Sequence, residues 1–136
     1  FAPVYAICAI ENANPFSVGL NCSLGPKELK PYLKILSDHA DCYISAYPNA
    51  GLPNEFGEYD QGPEEMISYM KDFMTHNLVN IIGGCCGTTP EHIRAIASAV
   101  KDIAPRELPQ HSVACRLSGL EAFNITADSL SSSDSV

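Results

Sequence analysis

The sequence predicts a parallel α/β fold, either the last segment of a closed (β/α)8 barrel or a small open sheet. Three observations carry that prediction. Short apolar runs alternate with stretches of helical period, in the order helix, strand, helix, strand, helix, strand, helix. The strand runs are apolar almost throughout, as strands covered on both faces are. The 136 residues, 46% apolar and 18% charged, suffice for one packed core. Three strands, however, are too few for a complete barrel, which takes roughly 200 residues or more.

Each element has its own local reason. The first dozen residues, with Ala6, Ile7 and Ile10, read as the end of a helix. Residues 16–20 are the first strand, stopping at Asn21-Cys22. Leu29, Leu33 and Leu36 then share one helical face. Pro31 lies inside that pattern, so the helix is expected either to start near Lys30 or to kink at the proline. Residues 42–47 are the second strand, followed by the turn-rich loop Pro48-Asn49-Ala50-Gly51-Leu52-Pro53-Asn54. The next helix is expected to begin at Pro63, with Glu64 and Glu65 complementing its dipole. Met66, Met70, Phe73 and Asn77 share one face of it, the last near the expected C-terminus, with the Met and Phe residues as core. Residues 79–82 are the third strand and run directly into Gly83-Gly84-Cys85-Cys86-Gly87. Thr89 caps the last helix with Pro90 at its first position, and Ile93, Ile96, Ala97, Val100 and Ile103 are its expected buried face. Beyond Asn124 the chain turns Ser- and Asp-rich, and a disordered tail is expected over 126–136.

Charge and composition narrow the function classes. A net charge of −8 without a basic cluster argues against nucleic acid or an anionic membrane surface as partner. No apolar run has the length to span a bilayer. The chain opens in mid-pattern without a starting Met or a secretory signal, so a piece of a longer, cytoplasmic protein is expected. Its six cysteines are then expected to be reduced rather than paired.

The adjacent pair Cys85-Cys86 is the main chemical signal. Neighbouring side chains of an extended strand point to opposite faces. Both thiols reach one target only if the backbone turns, and flanking glycines permit φ > 0 and close approach. In parallel α/β folds the active site gathers where strands end. Cys22 ends the first strand, Asn49 follows the second, and Cys85 and Cys86 follow the third. Cys8, Cys42 and Cys115 fall elsewhere and read as small buried hydrophobes. His39, His76, His92 and His111 lie in helical or late segments and read as surface or internally satisfied groups. Three thiolates with one exchangeable position describe an open tetrahedral zinc site; a closed structural site would need a fourth Cys or His at CxxC-type spacing. A redox pair would need thioredoxin-like spacing, which is absent. Such a site suits capture of a soft sulfur ligand as thiolate, since a free thiol with pKa of about 8.5 is mostly protonated at neutral pH. The bound sulfur then stays nucleophilic, as alkyl transfer to sulfur requires.

Four motifs together resemble a known family: Gly19-Leu20-Asn21-Cys22, the 48–54 loop, Phe56-Gly57-Glu58-Tyr59, and Val79-Asn80-Ile81-Ile82-Gly83-Gly84-Cys85-Cys86-Gly87-Thr88-Thr89-Pro90. They are similar to the homocysteine-binding domains of cobalamin-dependent methionine synthases. Ala114-Cys115-Arg116-Leu117-Ser118-Gly119-Leu120-Glu121 resembles the segment that follows that barrel toward a folate-binding module. The resemblance implies the C-terminal part, the last three strand–helix units, of a (β/α)8 TIM barrel over 1–108, with a post-barrel segment over 109–125. It implies Zn2+ on Cys22, Cys85 and Cys86, with the Asn49 oxygen in the fourth position until homocysteine displaces it. Methylcobalamin on another module of the parent protein would supply the methyl group, giving methionine without a protein acid or base. The implied partners are homocysteine and the cobalamin- and folate-binding modules. Relatives using betaine or S-methylmethionine share the Gly-Gly-Cys-Cys-Gly motif and form the alternative, as does a non-catalytic zinc- or thiol-binding fragment. The acidic residues near the homocysteine amino group belong to early strands of the family barrel that this chain lacks, so it is expected to be inactive alone.

Overall fold

Three parallel strands, β1 (Ser17–Asn21), β2 (Tyr43–Tyr47) and β3 (Ile81–Ile82), form a sheet in the order β1-β2-β3. The structure is a computed structural model that describes residues 3–110, 115–118 and 122–125. Val18 pairs with Ile44, and Ser45 with Ile81. Helix α1 (Pro3–Ile10) precedes the sheet, and α2 (Pro26–His39), α3 (Pro63–Thr75) and α4 (Pro90–Val100) each follow one strand. The fold is therefore mixed α/β, with a small three-stranded parallel sheet and four helices among the described residues. Its sequential strand order is consistent with part of a barrel. Because the strands run the same way, the loops leaving their carboxyl ends share one rim.

Helix α2 starts earlier than the Lys30 alternative placed it. It begins at Pro26, ahead of Lys30, with the Leu29 N–H bonded to the Gly25 carbonyl at 3.1 Å. Pro26 fills the first-turn position where proline costs no bond, and Pro31 sits inside the helix. Helix α3 starts at Pro63 as expected, and Met66, Met70 and Phe73 are fully buried. Asn77 lies just past the end of that helix, in keeping with its expected place near the C-terminus. It is exposed in the left-handed region (φ 54°), where its N–H meets the Met74 carbonyl and the Leu78 N–H meets that of Phe73. These two bonds terminate the helix. Strand β3 is shorter than predicted because Asn80 diverts the ladder. Its backbone N–H bonds the Ile44 carbonyl at 2.8 Å while its side-chain Oδ1 accepts the Ile44 N–H at 3.0 Å.

Helix α4 begins at Pro90 after Thr89, but its buried stripe is rotated from the one expected. His92 and Ile96 are buried, with Ala99, Val100 and Ile103 packed partly behind them, whereas Ile93 and Ala97 are exposed. A buried histidine causes the rotation: the His92 Nε2–H donates to the Gln61 carbonyl at 2.8 Å, and Nδ1 accepts the Thr89 N–H at 3.2 Å. An antiparallel hairpin, β4 (Cys115–Ser118) and β5 (Ala122–Ile125), lies beside α1 and has no counterpart in the predicted elements. The 126–136 tail and His111 lie outside the described residues. Among the described residues no helix is long and apolar enough to cross a membrane.

At the end of the sheet opposite the rim, Arg106 is 5% exposed, and among the described residues its guanidinium bonds no carboxylate. Nε donates to Ser37 Oγ (2.8 Å), Nη2 to the carbonyls of Ser37 and Ala40 (2.8 and 2.9 Å), and Nη1 to that of Cys42 (3.2 Å). A cation is thus placed where the carbonyls at the carboxyl end of α2 would otherwise lack partners.

Candidate metal centre

The segment between β2 and α3 organises the rim. The Asn49 N–H bonds the Leu24 carbonyl on one side (3.0 Å), and the Ala50 N–H bonds the Cys86 carbonyl on the other (2.8 Å). In return Cys85 donates its N–H to the Pro48 carbonyl at 2.8 Å, and Cys86 donates its own to Asn49 Oδ1 at 3.1 Å. Asn49 is 2% exposed, so that side-chain bond replaces water for a buried amide. The three thiol-bearing and Asn-bearing loops are therefore fixed to one another through backbone groups.

Sharp turns then aim the thiols. Cys22 extends the ladder by one bond, from its N–H to the Tyr47 carbonyl (2.9 Å), and then Cys22 and Ser23 both turn left-handed (φ 65° and 66°). Two successive left-handed residues with a Cβ are unfavourable and mark a position held by its surroundings. At the cysteine pair the glycines divide the two expected freedoms between them. Only Gly87 has positive φ (76°); Gly83 and Gly84 instead leave room for the Tyr47 ring and the Thr88 side chain. Gly87 also lies under Tyr59, whose Cγ is 2.8 Å from where a Cβ would stand.

Cys22 Sγ is 3.6 Å from Cys86 Sγ, Cys85 Sγ is 3.9 Å from Cys86 Sγ, and all three lie within 4.8 Å of one another. A disulfide would need about 2 Å, and all six cysteines are free. Zinc–thiolate bonds of about 2.3 Å at tetrahedral angles give sulfur–sulfur edges of about 3.8 Å. The spacing and the all-sulfur donor set fit a soft divalent ion. Among the described residues the cluster contains no imidazole or carboxylate.

The thiols are not equivalent. The backbone N–H of Ser23, followed by the thiols of Cys86 and Cys85, lowers the Cys22 pKa. Its hydrogen bond with Cys22 and then partial burial raise that of Cys85, whose Sγ is 3.5 Å from Asn21 Oδ1. Partial burial first, and then the neighbouring Cys86, push the Tyr59 phenol pKa above its ordinary value. A cavity of about 340 Å³ opens beside Cys22 between β1 and α2, with Leu20, Leu24, Leu29 and Tyr32 among its walls and no charged side chain among the described residues that line it.

The structure thus brings Cys22, Cys85, Cys86 and Asn49 together and leaves Cys8, Cys42 and Cys115 apart from them. Cys8 and Cys42 are half-buried and Cys115 is exposed, so only the first two approach the expected role of small core residues. Tyr59 lies against the same turn without a metal-ligating atom of the usual kind, so residue type does not mark it, whereas the Phe56-Gly57-Glu58-Tyr59 motif does.

A family model described as homocysteine S-methyltransferase matches residues 2–100. That span contains the three parallel strands, the four helices and every thiol of the cluster. The chain belongs to the homocysteine S-methyltransferase family, and with it to the methyltransferases.

Proposed function

We propose that this chain holds Zn2+ on Cys22, Cys85 and Cys86 and presents homocysteine sulfur for methylation to methionine. The observation that carries the reading is the thiol cluster, spaced like a tetrahedral edge on the rim of a homocysteine S-methyltransferase domain. Zinc bound there supplies Lewis acidity that brings a thiol's pKa below its free value. The left-handed turn at Cys22 and the Asn49 bond to the Cys86 amide hold the sulfurs in place before substrate arrives. Asn49 Oδ1 has a second lone pair available and is assigned the fourth position when homocysteine is absent. In the overall reaction the thiol proton leaves to solvent, the methyl–donor bond breaks and a carbon–sulfur bond forms. The all-thiol cluster agrees with a reaction in which no protein acid or base moves that proton.

The finer identity follows the sequence resemblance. We assign residues 1–108 to the last three units of a methionine synthase TIM barrel and 109–125 to the segment leading toward a folate-binding module, with methylcobalamin carried by another module. No charged side chain is among the described residues lining the cavity beside Cys22, and we assign the acidic contacts to the homocysteine amino group to strands outside this chain. A cytoplasmic, reducing setting suits six free thiols.

X-ray absorption at the zinc edge of the full-length protein tests the reading. Three sulfur ligands should become four when homocysteine is added. Fewer than three sulfurs without substrate, or no gain with it, would overturn the assignment.

A further inference from the structure

We propose that Asn21 is a positioning residue of the metal centre, its carboxamide serving the Cys85 sulfur as acceptor while that sulfur carries a proton and as donor once it holds the metal. This rests on the zinc reading and concerns a group beside the sulfurs rather than which sulfurs bind. Two adjacent residues at one strand end meet the two adjacent cysteines of another loop. Cys22 Sγ lies 3.6 Å from Cys86 Sγ, and the Cys85 thiol donates to Asn21 Oδ1 at 3.5 Å. Asn21 closes β1 in register with Tyr47, and directly after it the Cys22 N–H bonds the Tyr47 carbonyl. The carboxamide therefore stands on a paired strand, not on a free loop.

A turn-forming role does not account for an asparagine here. Cys22 and Ser23 take the left-handed conformation, whereas Asn21 is an extended strand residue. Core packing does not account for it either, because Asn21 is exposed. Among the described residues Cys85 is the only hydrogen-bond partner of its carboxamide. When a metal binds, the Cys85 proton leaves to solvent and the bond it made is lost. An oxygen facing the resulting thiolate is repelled. A half-turn about the last side-chain bond replaces Oδ1 with an Nδ2–H, which donates to the sulfur instead. Exposure leaves that half-turn unobstructed, and no other hydrogen bond has to break. Three thiolates around a divalent cation leave about one net negative charge, and the described cluster includes no His to offset it. A donor to one of the sulfurs disperses that charge. Aspartate has nearly the same shape but can only accept, and leucine can do neither.

Cobalt(II) in place of zinc provides the readout, because thiolate-to-cobalt charge transfer reports the electron density on sulfur. In the full-length protein, Asn21→Leu should keep the charge-transfer band but move it to longer wavelength, since an unbonded thiolate is the stronger donor. Asn21→Asp sets a carboxylate against the thiolate, so it should shift the band likewise and weaken cobalt affinity by about 10-fold or more. A merely structural asparagine would tolerate this nearly isosteric change. An Asn21→Leu band at the wild-type position, or wild-type cobalt affinity in Asn21→Asp, would overturn the inference and leave the zinc reading intact. Absence of any thiolate band in the wild type would overturn both. A second test needs no variant. With the spin-one-half cadmium isotope bound to the wild type, an Asn21 side-chain N–H proton should show scalar coupling to the metal across the hydrogen bond. Cadmium bound by the thiols with no such coupling would refute the donor role.

Discussion

Replacing Asn49 with alanine isolates the bond that fixes Cys86. The side chain is 2% exposed, and its Oδ1 accepts the Cys86 N–H at 3.1 Å. Truncation leaves that amide without its partner, which costs about 1–3 kcal/mol when water cannot reach it. The missing carboxamide leaves a void worth about 1 kcal/mol more. Relief of the amide's own desolvation offsets part of this, so a loss of about 2–3 kcal/mol is expected. Urea unfolding of the metal-free protein should show a lower midpoint at unchanged slope. Zinc content after dialysis should stay stoichiometric, because the three thiols remain. Asn49→Asp, which keeps an acceptor, should recover much of the stability. A loss below about 1 kcal/mol for Asn49→Ala would refute the reasoning, since the Cys86 amide would then have another partner.

Cys22→Ala, Cys85→Ala and Cys86→Ala should each abolish zinc retention in the full-length protein, read by metal analysis after gel filtration; stoichiometric zinc in any of them would remove that residue from the ligand set. Gly87→Ala combines left-handed strain of about 1–2 kcal/mol with overpacking of about 1–3 kcal/mol against Tyr59. Gly57→Ala, at φ 80° with nothing within 4 Å of a new Cβ, should show only the strain, so thermal unfolding of the two separates the effects. Arg106→Met strands the carbonyls of Ser37, Ala40 and Cys42 and should cost about 2–4 kcal/mol in chemical denaturation, with Arg106→Lys a poor rescue because one ammonium cannot serve the same fork of acceptors. Lys30 first, then His76, hold the Asp72 carboxyl below its usual range. With its folded pKa depressed, the contribution is complete above the ordinary carboxylate range and disappears as pH falls through the depressed value. Both partners of the Lys30 pair are substantially exposed, so Asp72→Asn at neutral pH should cost under about 1 kcal/mol and less in high salt.

What could be read from residues alone was local or periodic. Pro63 and Pro90 mark helix starts by a rule confined to one turn, and Met66, Met70 and Phe73 reveal their face by spacing. Cys22, Asn49, Cys85 and Cys86 could be grouped because parallel strands deliver their ends to one rim. The misreadings share a different cause. Pro31 carries proline's helix-start signature, yet the helix already begins at Pro26 and runs through it. Ile93 and Ala97 had the right period, but buried His92 and its bond to Gln61 decided which side of α4 faces inward. Asn80 shortened β3 by using its side chain as a backbone substitute, which an apolar pattern does not register. Arg106 gave no sign of burial, because its acceptors come from residues far away along the chain.

Arg106 also has a practical consequence for where this unit ends. The family match stops at residue 100, at the close of α4. A protein trimmed there would keep every thiol of the cluster and all four described helices, and would look complete by alignment. It would nevertheless lose the guanidinium that joins α2 to the chain around Cys42, at the end of the sheet remote from the metal centre. Such a truncation should retain the chemistry of the rim while unfolding and aggregating sooner. The smallest piece suited to expression, crystallisation or grafting onto another scaffold therefore runs past residue 106.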